Sequence, residues 1–222
     1  MTRSKWFASF FGLLLLGAFF LYSPKKSVTG SALTPDGTAA AIDLREEKEA
    51  FQQAPKGKRL EEFYKKESAR VGSVDPNPKL TEQRLAAVAS ALSLEEVDWL
   101  RDQALARNKE GDARFFSAYL IALAPGEVAV PALRSLALSP VPKDKNTAFV
   151  ELERQIRGQA VEGLSRAKGN PAARDALLDV ISQQEDEFLR DRAHRGIHSW
   201  TTGKPIEQQD QEALGKLLYE KK

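Results

Sequence analysis

Three stretches of the chain share one spacing: Arg84-x-x-Ala87-x-x-x-Ala91, Arg157-x-x-Ala160-x-x-x-Leu164 and Arg190-x-x-Ala193-x-x-x-Ile197, and Phe115-x-x-Ala118-x-x-x-Ala122 fits with Phe in place of Arg. The alanines stand 31, 42 and 33 residues apart, and the long interval contains the proline-rich run from Ser139 to Thr147. Setting aside about nine inserted residues leaves a period of about 32, the length of one helix pair. Steps of three and four place these positions on one face of a helix. A pair this small cannot bury its apolar face alone, so about three or more must stack before the chain has a core. No stretch after Lys79 alternates apolar and polar residues as a strand would. The breaks that separate the segments are Gly111-Asp112, Pro125-Gly126, Gly169-Asn170-Pro171 and Gly203-Lys204-Pro205.

The spacing therefore predicts an all-α region of about eight helices in pairs. Second helices echo one another around Leu100, Leu133, Leu177 and Leu214, and Ser93-Leu94-Glu95-Glu96 reads as a capping box. Phe115 to Leu123, FFSAYLIAL, is apolar all round and belongs inside. Phe149, Leu152, Ile156, Ala160 and Leu164 form one stripe on a helix whose other face is charged, the pattern of an outer helix. On these residues, above all Ile156-Arg157-Gly-Gln-Ala160-Val-Glu-Gly-Leu164 and the run from Gly169 to Leu178, residues 80–222 resemble the short HEAT-like repeats of the phycobilisome-lyase type. The resemblance implies an α-solenoid of about four helix pairs that binds other proteins. It implies no lyase activity, since no family catalytic residue is matched. Glu207 to Tyr219, polar for a second helix, would serve as an end cap.

Ahead of the repeats, residues 6–22 read WFASFFGLLLLGAFFLY without a charge. At 1.5 Å per residue such a helix spans roughly 25 Å, near the lower limit for crossing a hydrocarbon core. Residues 1–5 form a short tail whose Arg3 and Lys5 also suit the n-region of a signal peptide. The nearest small-x-small site, Gly30-Ser31-Ala32, lies far from the apolar run, which favours a retained signal anchor; cleavage within residues 1–32 is the alternative. With the body of the chain downstream, the expectation is a single-pass protein of a bacterial inner membrane with its C-terminal domain in the periplasm. Residues 23–79 are rich in Ser, Thr, Pro, Lys and Glu and read as a polar linker with one or two surface helices. Ser23-Pro-Lys-Lys26 matches an SxxK pattern, but without the strand–helix context and partner motifs that the chemistry needs.

Composition narrows the chemistry. There is no cysteine, so disulfides, thiolate metal sites and cysteine nucleophiles are excluded. Formal net charge is +2 with both signs interleaved, which leaves no electrostatic footprint for nucleic acid. Glu187, Asp191, His194 and His198 recur at steps of four, three and four on one helix face, and two histidines one turn apart can chelate a divalent metal. No glutamate follows His194, so the HExxH signature is missing, and an Asp191–Arg195 pair on a solvated face accounts for the same residues. Trp99 points away from the stripe of Leu94, Val97, Leu100, Ala104 and Leu105, and is either buried against a neighbouring repeat or an anchor for a partner. Arg84, Arg157 and Arg190 would form a ladder, either pairing with carboxylates or meeting a partner.

The expectation is a non-enzymatic, membrane-tethered helical-repeat scaffold that binds another cell-envelope protein, with no cofactor and no small-molecule substrate. One alternative is an exported metal-dependent or hydrolytic enzyme using the His194/His198 face. The other is a soluble exported repeat protein left by signal-peptide cleavage.

Overall fold

The computed structural model describes residues 48–49, 51–53, 58–71, 77–144, 146–204, 206 and 209. Residues 6–22, the linker residues up to 47 and most of the stretch from Glu207 to Tyr219 lie outside them. The described residues are all-α. Eight helices with defined bounds lie among them: α1 Arg59–Ser68, α2 Pro78–Ala89, α3 Leu94–Leu105, α4 Gly111–Leu123, α5 Gly126–Leu138, α6 Thr147–Arg166, α7 Pro171–Gln183 and α8 Glu187–Thr202. Among the described residues no helix is long and apolar enough to cross a membrane.

The chain divides into two compact units, Met1–Ala91 and Leu92–Lys222. In the first, Phe51 and Leu60 are buried, the Phe51 and Phe63 rings meet edge to face at 5.8 Å, and the Arg59 guanidinium lies over the Phe51 ring at 4.6 Å. Helix α2 starts at a proline capped by the Asn77 side chain, which accepts from the Leu80 N–H. Proline suits this first position because the N–H it lacks would have no intrahelical partner there. The start of the repeats that the sequence suggests, residue 80, thus falls inside α2, and the division between units comes after it, at Ala91.

In the second unit each helix touches its chain neighbour and also packs on the next helix but one. Helices α4, α6 and α8 pack in succession, and so do α3, α5 and α7; these two layers are joined by the α3–α4, α5–α6 and α7–α8 pairs. The core between them is built from small and branched side chains, among them Val97, Leu100, Leu120, Ile121, Leu133, Leu136, Ile156, Leu164, Leu177 and Leu189. The sequence places α4 inside, and its Phe116, Ala118, Leu120, Ile121 and Ala122 are indeed buried. Helix α6 differs from the outer helix expected of it. Arg157, Gly158, Gln159, Val161 and Gly163 are buried beside Ile156, Ala160 and Leu164, because α6 packs on α4, α5, α7 and α8 together. Two of its charged residues, Glu153 and Arg157, are turned inward and pair with each other, while Glu151 and Arg166 stay at the surface.

Close approach of the helices depends on two glycines 33 residues apart. A Cβ at Gly163 would sit 2.9 Å from the Ala122 Cβ and 3.0 Å from the Ala122 Cα of α4. A Cβ at Gly196 would sit 3.1 Å from the Ser165 Cβ of α6. Ala122 and Ser165 are therefore equivalent, which sets the step from α4 to α6 at 43 residues, one more than the spacing read through Ala118. In this register Arg114, not Phe115, corresponds to Arg157.

Candidate functional site

Helix α5 stops at Leu138. Its Ser139 cap donates its hydroxyl hydrogen to the Leu136 carbonyl, and prolines at 140 and 142 then prevent helical continuation. The chain runs outward to Asn146, whose side chain accepts from the Phe149 N–H and starts α6. Helix α6 begins ten residues ahead of Arg157, whereas α4 and α8 begin three residues ahead of Arg114 and Arg190. The 42-residue interval between Ala118 and Ala160 thus holds a loop plus about two extra helical turns.

The arginines share one task. Arg114 Nε donates to the Ala104 carbonyl at the end of α3, at 2.9 Å. Arg157 donates from Nε to the Ser139 carbonyl at 2.7 Å and from Nη2 to the Pro140 carbonyl at 2.9 Å, just past α5. Arg190 donates from Nη1 to the Gln184 and Glu185 carbonyls at 2.9 and 3.0 Å, just past α7. Each satisfies carbonyls at the terminus of the preceding helix, where a cation is also favoured by the helix dipole. Arg84, in the other unit, forms a two-pronged pair with the buried Glu67 of α1.

A buried ionic cluster lies behind the loop. Glu153, fully buried on α6, faces Arg114 at 2.6 Å and Arg157 at 2.5 Å, and both arginines are 2 % exposed. Burial alone would push the Glu153 carboxyl up, but its hydrogen bonds to the two guanidinium groups outweigh this and hold it below the usual glutamate range. Burial draws Arg157 below its ordinary value, against the pull of Glu153. Gln184, also buried, donates to the Ala137 carbonyl at 2.7 Å and the Ser139 carbonyl at 3.3 Å, fastening the α7–α8 turn to the end of α5.

Between the loop and that turn lies a groove of about 440 Å³. Pro140, Val141, Pro142 and Val150 form its apolar lining, and Arg154, Glu185 and Asp186 lie among its polar residues. Arg154 Nε donates to Asp186 Oδ2 at 2.8 Å, while Asp186 Oδ1 accepts from the Leu189 N–H and caps α8. Lys143 and Glu185 pair across the two sides at 3.2 Å, both almost fully exposed.

The other candidates are placed as follows. Trp99 is half-buried on α3. His194, His198, Glu187 and Asp191 are exposed on α8, and Asp191 pairs with Arg195 at 2.8 Å. Among the described residues no group of three or more His, Cys, Asp or Glu side chains is placed to hold a metal ion. The repeat spacing does not single out Arg114, Glu153 or Gln184. Glu153 had a signal, its place four residues before Arg157; Gln184 had none, because its partners lie 47 and 45 residues away. No family model, curated protein or solved structure matches the chain.

Proposed function

We propose that the chain is a membrane-tethered scaffold whose HEAT-like α-solenoid binds another protein of the cell envelope, without catalysis of its own. The observation that carries this reading is the packing of each helix of the second unit on its second neighbour, with an arginine tying α4, α6 and α8 to the helix before. Stacked helix pairs expose long rows of side chains, which is how such folds engage partners. Function by analogy with fold needs a site as well, and the groove beside the inserted loop supplies a shaped one. The uncharged run of residues 6–22 supports anchoring in a bacterial inner membrane, with the repeats in the periplasm.

Two measurements test the proposal. Membrane fractionation with N-terminal sequencing of the mature chain separates a retained anchor from a cleaved signal peptide: a chain starting near residue 33 in the soluble fraction would remove the tether. Photo-crosslinking in the producing cells, followed by mass spectrometry, should capture the same protein in repeated experiments from several repeat positions, with loss on Trp99→Ala if that side chain is an anchor. Absence of any protein adduct across the repeats would sink the scaffold reading.

A further inference from the structure

Helix α5 shows which side the second helix of a pair turns to its successor. Arg134 of α5 reaches Asp179 of α7 at 2.6 Å, and Val130 and Ala137, one turn to either side of Arg134, are buried. The same positions can be located on α7, because Ala132-Leu133-x-x-Leu136 and Ala176-Leu177-x-x-Val180 repeat one pattern of buried residues. Arg174, Leu178 and Ile181 then stand where Val130, Arg134 and Ala137 stand on α5. Arg174 is exposed, Leu178 is 44 % exposed and Ile181 is half-buried. Helix α8 is open in the same way: Leu164 of α6 is fully buried, whereas Ile197, its counterpart once Gly163 is matched to Gly196, is half-buried. The side that earlier helices bury is thus open on α7 and on α8, and Leu178, Ile181 and Ile197 make it apolar.

The chain itself carries a segment that fits there. After the turn at Gly203, Ile206 is buried, and Gln209 Nε2 donates to the Arg195 carbonyl at 3.2 Å and to the Lys204 carbonyl at 2.9 Å, which fastens the chain to α8. Residues 210–222 lie outside the described ones, and their sequence gives the pattern of α5 and α7 a third time, as Ala213-Leu214-x-x-Leu217. On a helix Ile206, Ala213, Leu214 and Leu217 share one apolar stripe. In this alignment Lys216 takes the place of Asp179 and falls opposite Leu178, as Asp179 falls opposite Arg134. Leu178 can carry the aliphatic stem of Lys216, and Asp175, exposed one turn before Leu178, offers a carboxylate to its ammonium group.

We propose that residues 210–218 seat as a helix on this face of α7 and α8, with Leu214 and Leu217 turned to the core and Lys216 over Leu178. The inference goes beyond the scaffold reading and does not depend on it: the chain's own segment withdraws this apolar face from any partner. The chain has no cysteine, so introduced thiols report on their own positions alone. In the full chain in non-ionic detergent, a short bismaleimide should join Leu178→Cys to Lys216→Cys within one molecule. Glu151→Cys, exposed on α6, should not be joined to Lys216→Cys. A single Ile181→Cys thiol should react with a maleimide about tenfold faster once Leu214→Asp and Leu217→Asp unseat the segment, a factor that corresponds to about 1.4 kcal/mol. Ala137→Cys, fully buried at the matching place on α5, should stay protected in both backgrounds, which shows that the opening is local. No joining of the Leu178 pair, equal joining of the two pairs, or an Ile181→Cys rate unmoved by the two aspartates would overturn the proposal. Joining between molecules would overturn it as well and would put a second copy on this face. Where the aspartates also expose Ala137→Cys, the joining, made without them, decides.

Discussion

Replacing glycine by alanine inside a helix ordinarily stabilises it by about 1 kcal/mol, because alanine loses less backbone freedom on folding. Helix α6 contains two glycines at which this gain meets opposite surroundings. At Gly158 a Cβ would lie 3.5 Å from Phe188 Cε1 and 3.7 Å from Arg192 Cδ, ordinary van der Waals contacts with side chains that can adjust. At Gly163 it would lie 2.9 Å from both Ala122 Cβ and Leu133 Cδ1, and 3.0 Å from the Ala122 Cα, which is backbone and cannot turn aside. Relief there requires α6 to move off α4, and overpacking of this kind costs about 1–3 kcal/mol. With the cost at the upper end and the propensity gain subtracted, Gly163→Ala should destabilise by about 2 kcal/mol. Gly158→Ala should stabilise by about 0.5–1 kcal/mol. Gly196→Ala, with contacts of 3.1 Å to Ser165 Cβ and 3.4 Å to Leu177 Cδ2, should fall between them. Urea unfolding followed by helical circular dichroism, with the same denaturant slope in all variants, reads the order directly. If Gly163→Ala is as stable as the parent chain, or if the two α6 variants lose stability alike, the close-packing argument is wrong.

Glu153→Gln leaves Arg114 and Arg157 buried without their carboxylate and should cost about 3–5 kcal/mol, seen in urea unfolding and in faster proteolysis within 139–146. Because the folded Glu153 carboxyl is held below its unfolded value, its contribution is complete above the ordinary glutamate range and is lost as pH falls through the depressed folded value; the variant should show a flatter acid limb. Asn170→Ala removes the acceptor for the Ala172 and Ala173 N–H groups at the start of α7 and should cost about 1 kcal/mol in the same assay. Gly203, with φ of 73° at the end of α8, should cost about 1 kcal/mol on change to alanine, while Lys204→Ala next to it serves as a control with a smaller effect. Zinc titration by calorimetry should show no specific uptake that is lost on His194→Ala or His198→Ala; uptake of that kind would revive the metal-dependent alternative.

What the sequence made legible was local. The Ser93–Glu96 capping box forms as its spacing suggests, with Ser93 Oγ accepting from the Glu96 N–H at 3.4 Å and Glu96 Oε2 accepting from the Ser93 N–H at 2.9 Å. The apolar run of α4 is buried, and all the described elements are helical. What it hid depended on partners distant in the chain. Charge on α6 looked like a solvent face because the neutralising contact of Glu153 with Arg114 crosses 39 positions and leaves no periodic trace. Between α4 and α6 the sequence leaves the register open by one residue, because the small residues at 117 and 118 are both buried and either fits the alanine position. The groove was visible only as an excess in repeat length. Its walls are joined through main-chain carbonyls, which any residue type supplies.

The arginine ties have a consequence for how the chain comes into being. Arg114, Arg157 and Arg190 each donate to a carbonyl at the end of a helix already synthesised, although the carboxylate partner of Arg114, Glu153, comes only with α6. A chain emerging from its N-terminus can therefore secure each helix terminus as soon as the next arginine appears, adding pairs in order without holding a long unfolded stretch open. The proline-rich loop lengthens the delay at one step, and there the growing chain exposes its unfinished edge for longest.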